Sequence, residues 1–190
     1  PAFTFPFVVI LISSFGLQSF ESIYSIMAVI NFNFTTTEIA MIITVSGSLA
    51  LFFQIVFFDK LINLLGEVGL IRISFFLSAI FVAVIAFTDQ NWVVVVSTFI
   101  VFLAFDLQRP AITTYLSKRA GNMQGTVNGL NSTFTSFGNI FGPMVAGSLF
   151  DINHFYPYYV SSLILLVTSF LSLLWKKDVI VVSETTQEEG

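Results

Sequence analysis

Cysteine is absent from the 190 residues, and histidine occurs once. That excludes disulfides, thiolate metal centres and a cysteine nucleophile. Charge is scarce as well: Asp, Glu, Lys and Arg make up 9% of the chain, against about 25% in an ordinary soluble domain. Hydrophobic residues fill the space, at 56%, with 24 phenylalanines among them. A chain of this composition is a membrane protein. HExxH, GxSxG, P-loop and GxGxxG patterns are all missing, so the sequence offers no metal site, no cofactor site and no enzyme motif. The net charge of −4 comes largely from the terminal "SETTQEEG" and gives no reason to expect a nucleic-acid partner. The start, "PAFTFPFVVILISSFG", has neither the basic stretch nor the small-residue cleavage site of a signal peptide, and reads as a cut within a longer protein.

What is present is a series of long apolar runs. Turn or charge character interrupts them at "NFNFTTTE" (31–38), "DKLINLLGE" (59–67), "TDQN" (88–91), "SKRAGNMQG" (117–125) and "DINHFYP" (151–157). Each run between approaches the ~20 apolar residues that a membrane-crossing helix needs. Six spans are expected: Phe5–Ile30, Ile39–Phe58, Val68–Phe87, Trp92–Leu116, Thr126–Phe150 and Tyr158–Trp175. "DKLINLLGE" either extends the second span or lies at the interface. The bundle takes up residues 1–177, and residues 178–190 form an acidic, polar tail expected to be disordered and cytoplasmic.

Basic residues alternate by loop. Lys60 and Arg72 flank the second loop, Lys118 and Arg119 lie in the fourth, and Lys176 and Lys177 follow the last span. The first, third and fifth loops carry none. Basic loops stay on the cytoplasmic side, so even-numbered loops and both ends of the segment are expected inside. Asp59 and Lys60 read as interfacial residues, and His154 as a solvated outer-loop residue.

The seventh basic residue, Arg109, stands inside a span, in "VFLAFDLQRPAI" (101–112). A charge at mid-bilayer costs at least ~2.5 kcal/mol and normally faces a cavity or a partner. Glu21, Asp106 and Arg109 are all in this position. On the first span Ser14, Gln18, Glu21 and Ser25 recur at helical spacing to make one polar face, with Tyr24 at its border. On the fourth, Phe99, Phe102, Asp106, Arg109, Pro110 and Thr113 share a face. Asp106 and Arg109, three residues apart, are close enough to pair. Pro110 kinks the helix and frees the carbonyl of Asp106, which is tolerable only beside a wet cavity. The competing reading makes Asp106–Arg109 a neutralised packing pair. Glu21 has no base on its own helix, and a buried, partnerless carboxyl can carry a proton.

The fifth span presents Asn128, Ser132, Thr135, Asn139, Gly142 and Ala146 on one side, with Phe134, Phe137 and Phe141 opposite as lipid-facing rings. Gly138 and Gly142 form a GxxxG, so tight helix packing comes before ligand contact for this face. The lining expected of a substrate cavity is Gln18 and Tyr24, Phe99 and Phe102, and Asn128, Ser132, Thr135 and Asn139.

"FDLQRPAITTYLSKRAGNMQG" followed by "GLNSTFTSFGNIFGPMVAGSLFD", with "FGLQSFESIYS" and "FQIVFFDK" before them in the same order, resembles the C-terminal half of NorA-type multidrug efflux pumps of the major facilitator superfamily. The likeness runs from about Phe7 to Lys177. It departs at "DKLINLLGE", where the superfamily's usual glycine-and-arginine signature is missing. The resemblance implies an all-α fold in a bacterial plasma membrane: six helices as two inverted three-helix repeats, forming helices seven to twelve of a proton-driven antiporter. It implies proton-coupling roles for Glu21 and Asp106, with Arg109 as their charge partner. It also implies hydrophobic, often cationic or zwitterionic drugs and dyes as substrates, protons as co-substrate, and a missing N-terminal six-helix half as partner. The alternatives are export of another small molecule such as a sugar or metabolite, a membrane enzyme, or a channel. An intramembrane aspartyl protease needs a GxGD sequence, which is absent.

Overall fold

The computed structural model describes residues 4–174; Trp175, Lys176, Lys177 and the acidic tail lie outside the described residues. The described chain is all-helical: α1 (Thr4–Phe32), α2 (Thr36–Phe87), α3 (Asn91–Ala120), a 3-10 turn (Gly121–Met123), α4 (Gln124–Ile152) and α5 (Tyr156–Leu173). Four continuous stretches are long and apolar enough to cross a membrane, of 27, 52, 62 and 18 residues. At ~1.5 Å per residue the two longest exceed twice the ~30 Å hydrocarbon core. Both contain a backbone break. In α2 it falls on Gly66, at φ 72° and ψ 165°, a conformation only glycine adopts without strain. Between α3 and α4 it is the 3-10 turn, opened by Gly121 at φ 50°. The "DKLINLLGE" segment therefore continues the helix as far as residue 65 before it breaks.

The first connection shows why the chain turns where it does. Asn33 adopts φ 55°, and the amides of Asn33 and Phe34 close back onto the carbonyls of Val29 and Ala28, which satisfies the last carbonyls of α1. Thr35 then caps α2. Its hydroxyl accepts from the Glu38 amide while its own amide donates to the Glu38 carboxylate, a reciprocal capping box. Phe34 and Ile39, at the flanking staple positions, are both buried.

α1 packs mainly on α4 and α5, and α2 on α3 and α5. Several hydroxyls buried within helices donate to the carbonyl four residues back, as Ser46, Ser78, Thr98 and Thr168 do, which satisfies these donors inside the bundle. Ser162 instead donates to the Ala79 carbonyl and ties α5 to α2.

The α1–α4 contact is set by glycine. A Cβ at Gly138 would lie 2.6 Å from Ser14 Cβ and 2.7 Å from the Phe15 nitrogen, and one at Gly142 would lie 3.0 Å from the Phe15 carbonyl oxygen. Ser19 donates to the Gly142 carbonyl at 3.1 Å. Gly138→Ala should lower stability by about 1–3 kcal/mol, since backbone atoms cannot yield. Gly147 has open space at its Cβ position, so Gly147→Ala should be neutral or gain up to about 1 kcal/mol from helix propensity. Thermal unfolding of the two variants in detergent checks both. Phe137 and Phe141 stack on each other on the outer surface, half exposed. Phe134 departs from the lipid-facing expectation: the ring of Phe7 covers it, stacked at 5.3 Å.

Candidate functional site

α1, α3 and α4 enclose a cavity of about 370 Å³. α1 contributes Ile10, Ser13, Ser14, Leu17, Gln18 and Glu21, α3 contributes Gln108, Arg109, Ile112 and Thr113, and α4 contributes Asn131, Thr135 and Asn139. The wall is polar because the hydrophilic stripes of three otherwise apolar helices converge here. Positions 14, 18 and 21 on α1 and 109 and 113 on α3 keep the 3–4 spacing that turns one side of a helix toward its neighbours.

At its centre Arg109 Nη2 donates to Glu21 Oε1 at 3.2 Å, across 88 residues of sequence. The Arg109 side chain is 54% exposed and that of Glu21 26%, so the pair faces an open space in this chain. The expected Asp106–Arg109 pair is not formed: among the described residues Asp106, half-buried, makes no ion pair or side-chain hydrogen bond. The long Arg109 side chain turns instead to α1, where Glu21 offers its carboxylate from a facing helix. Glu21, which has no base on its own helix, thus gains one from α3. Pro110 sits within α3, and the Thr113 hydroxyl donates to the Arg109 carbonyl at 3.2 Å.

Of the expected cavity lining, Gln18, Thr135 and Asn139 meet around the Glu21–Arg109 pair. Tyr24, Phe99 and Phe102 do not line this cavity. Tyr24 is 2% exposed and belongs to an aromatic cluster. Its ring lies 5.7 Å from Phe20 and 5.9 Å from Phe102, while Phe20 also meets Tyr158 at 5.3 Å and Phe105 at 6.2 Å. Phe99 packs half-buried against the core. These rings bury their faces against three helices, a larger gain than lining a polar cavity would give. Asn128 and Ser132 are exposed on α4, outside the cavity. The sequence reading missed Ser13, Gln108 and Asn131. For Asn131 a signal existed: positions 128, 131, 135 and 139 fit a helical face as well as 128, 132, 135 and 139 do.

At one end of the molecule Lys118 pairs with Glu67. There too Arg72 donates from Nε to the Ser172 carbonyl at 2.8 Å and from Nη2 to the Leu173 carbonyl at 3.3 Å, placing a cation on the last carbonyls of α5. Elsewhere Asn91 Nδ2 donates to the Phe32 carbonyl at 3.2 Å, joining the start of α3 to the end of α1.

Comparison with known proteins identifies the family. The Major Facilitator Superfamily profile matches residues 6–189. Multidrug resistance protein 1 of Bacillus subtilis (strain 168) is 44% identical over 176 residues, 93% of this chain and 45% of that protein. Multidrug resistance protein 2 of the same bacterium is 41% identical over 177 residues, 93% of this chain and 44% of that protein. Quinolone resistance protein NorA of Staphylococcus aureus (strain COL) is 40% identical over 159 residues, 84% of this chain and 41% of that protein. The chain spans less than half the length of these relatives. The resemblance seen in "FDLQRPAI" and its companion stretches is thereby upheld. All-helical among its described residues, apolar and matched over nearly its whole length, the chain belongs to the Major Facilitator Superfamily.

Proposed function

We propose that this chain is the C-terminal six-helix half of a proton-coupled exporter of hydrophobic, cationic or zwitterionic drugs and dyes. The observation that carries the reading is the Glu21–Arg109 pair, held between two apolar helices and facing a polar cavity. A charge pair is costly in hydrocarbon, and one that faces a cavity marks a transport path. The matched relatives, two multidrug resistance proteins and a quinolone resistance protein, support drugs as the substrates. The remaining half of the cavity comes from an N-terminal six-helix half, against the face on which Arg109 is open.

The centre has two acids and one base. Arg109 neutralises Glu21, and Asp106 is left without an ion pair. One negative charge therefore awaits either a proton or a cationic substrate. Two unit charges at ~4 Å interact by about 4 kcal/mol at an effective dielectric of 20, enough for the two ligands to compete. Exchange becomes transport because each binds the outward-facing and inward-facing conformations differently.

Six spans follow if the breaks at Gly66 and Gly121 each turn the chain back across the membrane. The contacts support that zigzag: Glu67, Lys118, Arg72 and the end of α5 gather together, while the first and third connections meet through Asn91 and Phe32. With the basic loops inside, a cysteine at Asn153 should react with an impermeant thiol reagent from outside the cell and one at Asn122 only from the cytoplasmic side. The opposite pattern overturns the orientation. The function is tested in proteoliposomes bearing the complete transporter. A cationic dye added against an imposed pH gradient should dissipate that gradient, and dye movement with no proton movement would refute coupling.

A further inference from the structure

Gln108 is the residue of the cavity wall that the charge chemistry leaves unexplained. It stands on α3 immediately before Arg109, is 4% exposed, and lines the same cavity as Glu21 and Arg109. Its Oε1 is buried and has no hydrogen-bond partner. Burying an acceptor without a donor costs folding free energy, and an apolar side chain of equal size would avoid that cost. A glutamine in this place is therefore accounted for by a donor that arrives from outside the fold.

We propose that Gln108 is a specificity-determining residue whose carbonyl oxygen accepts a hydrogen bond from the N–H of a protonated amine bound at the acidic centre. The inference rests on the export reading above and sharpens its substrate class. A cation that enters this cavity settles beside Glu21, the carboxylate in its wall. If it is a protonated amine, it carries at least one N–H donor. A carboxylate meets the charge, and the neighbouring amide oxygen meets a donor. A quaternary ammonium of the same scaffold brings the same charge but no donor, and leaves Oε1 unpaired. Hydrogen-bonding sites discriminate most strongly against the analogue that lacks the bonding group. The site thus favours cations that carry N–H over permanently quaternary ones.

The test uses the purified complete transporter and a matched pair of probes: a tertiary-amine dye, protonated at the assay pH, and its N-methylated quaternary form. The readout is the ratio of their dissociation constants, which cancels general changes in cavity shape. Gln108→Met, close in length and apolar, should shift that ratio against the protonated amine by about tenfold, the weight of one hydrogen bond to a charged group. Gln108→Glu keeps an acceptor at the same reach and should retain the discrimination. Thermal unfolding of Gln108→Met provides a second readout: the midpoint should hold or rise, because an unpaired buried acceptor has been removed. A ratio in Gln108→Met equal to that of the unaltered protein overturns the proposal, as does an equal loss for both probes. If the unaltered transporter binds neither cation, the export reading itself falls and takes the inference with it.

Discussion

Arg109→Ala should reduce efflux of cationic dyes by at least about tenfold, with normal insertion and an almost unchanged unfolding midpoint. The two effects separate because of where the pair lies. Arg109 is more than half exposed in this chain, and an exposed ion pair contributes only about 0–1 kcal/mol to stability. Its contribution to the site is larger. Without the guanidinium, Glu21 and Asp106 are two acids with no base. Protons then hold them, and a substrate cation no longer wins the exchange. A double-mutant cycle with Glu21→Gln isolates the pair. If the two residues act as one unit, the double variant should be no worse than the poorer single variant. Full efflux by Arg109→Ala, at normal expression, would make the pair a packing contact.

Glu21→Gln should abolish proton-driven efflux and flatten the pH dependence of dye binding. The substitution keeps the shape of the side chain and fixes it neutral. Arg109 then loses its carboxylate at 3.2 Å and becomes available to Asp106, three residues away on the same helix. The one exchangeable negative charge of the centre is cancelled, so neither proton nor cation has a site to contest. Asp106→Asn should act in the same direction, because coupled carboxyls titrate as a set and not one by one. Dye binding to purified protein, followed from mildly acidic to alkaline pH, checks the effect. An unaltered profile in Glu21→Gln would move the proton site elsewhere.

The connections were legible because they are written in local chemistry. "NFNFTTTE" contains the left-handed Asn33 and the Thr35–Glu38 capping box, and "SKRAGNMQG" contains Gly121 at the break between α3 and α4. The polar stripe through Gln18 and Glu21 was legible from its period, as was the glycine seam of α4. Choices between competing partners were not legible. Arg109 had an acid three residues away on its own helix and another 88 residues away, and spacing favours the near one. Only the packing of α1 beside α3 decides for Glu21. Tyr24 likewise borders a polar face in a helical projection, yet the rings of Phe20 on α1 and Phe102 on α3 pack against it. Gln108 lies 100° around the helix from Arg109, so a face chosen to contain Arg109 passes it by. The cavity includes it because α1 and α4 meet α3 at the junction of two of its faces.

The most direct measurement of the central claim is proton release on substrate binding. The complete transporter, in weakly buffered detergent solution with a pH indicator, is mixed with a cationic dye. Competition at a centre of two acids and one base predicts that protons appear in solution as the dye binds, that Glu21→Gln and Asp106→Asn each abolish the release, and that the double variant releases none either. Equal proton release from the double variant and the unaltered protein would contradict it.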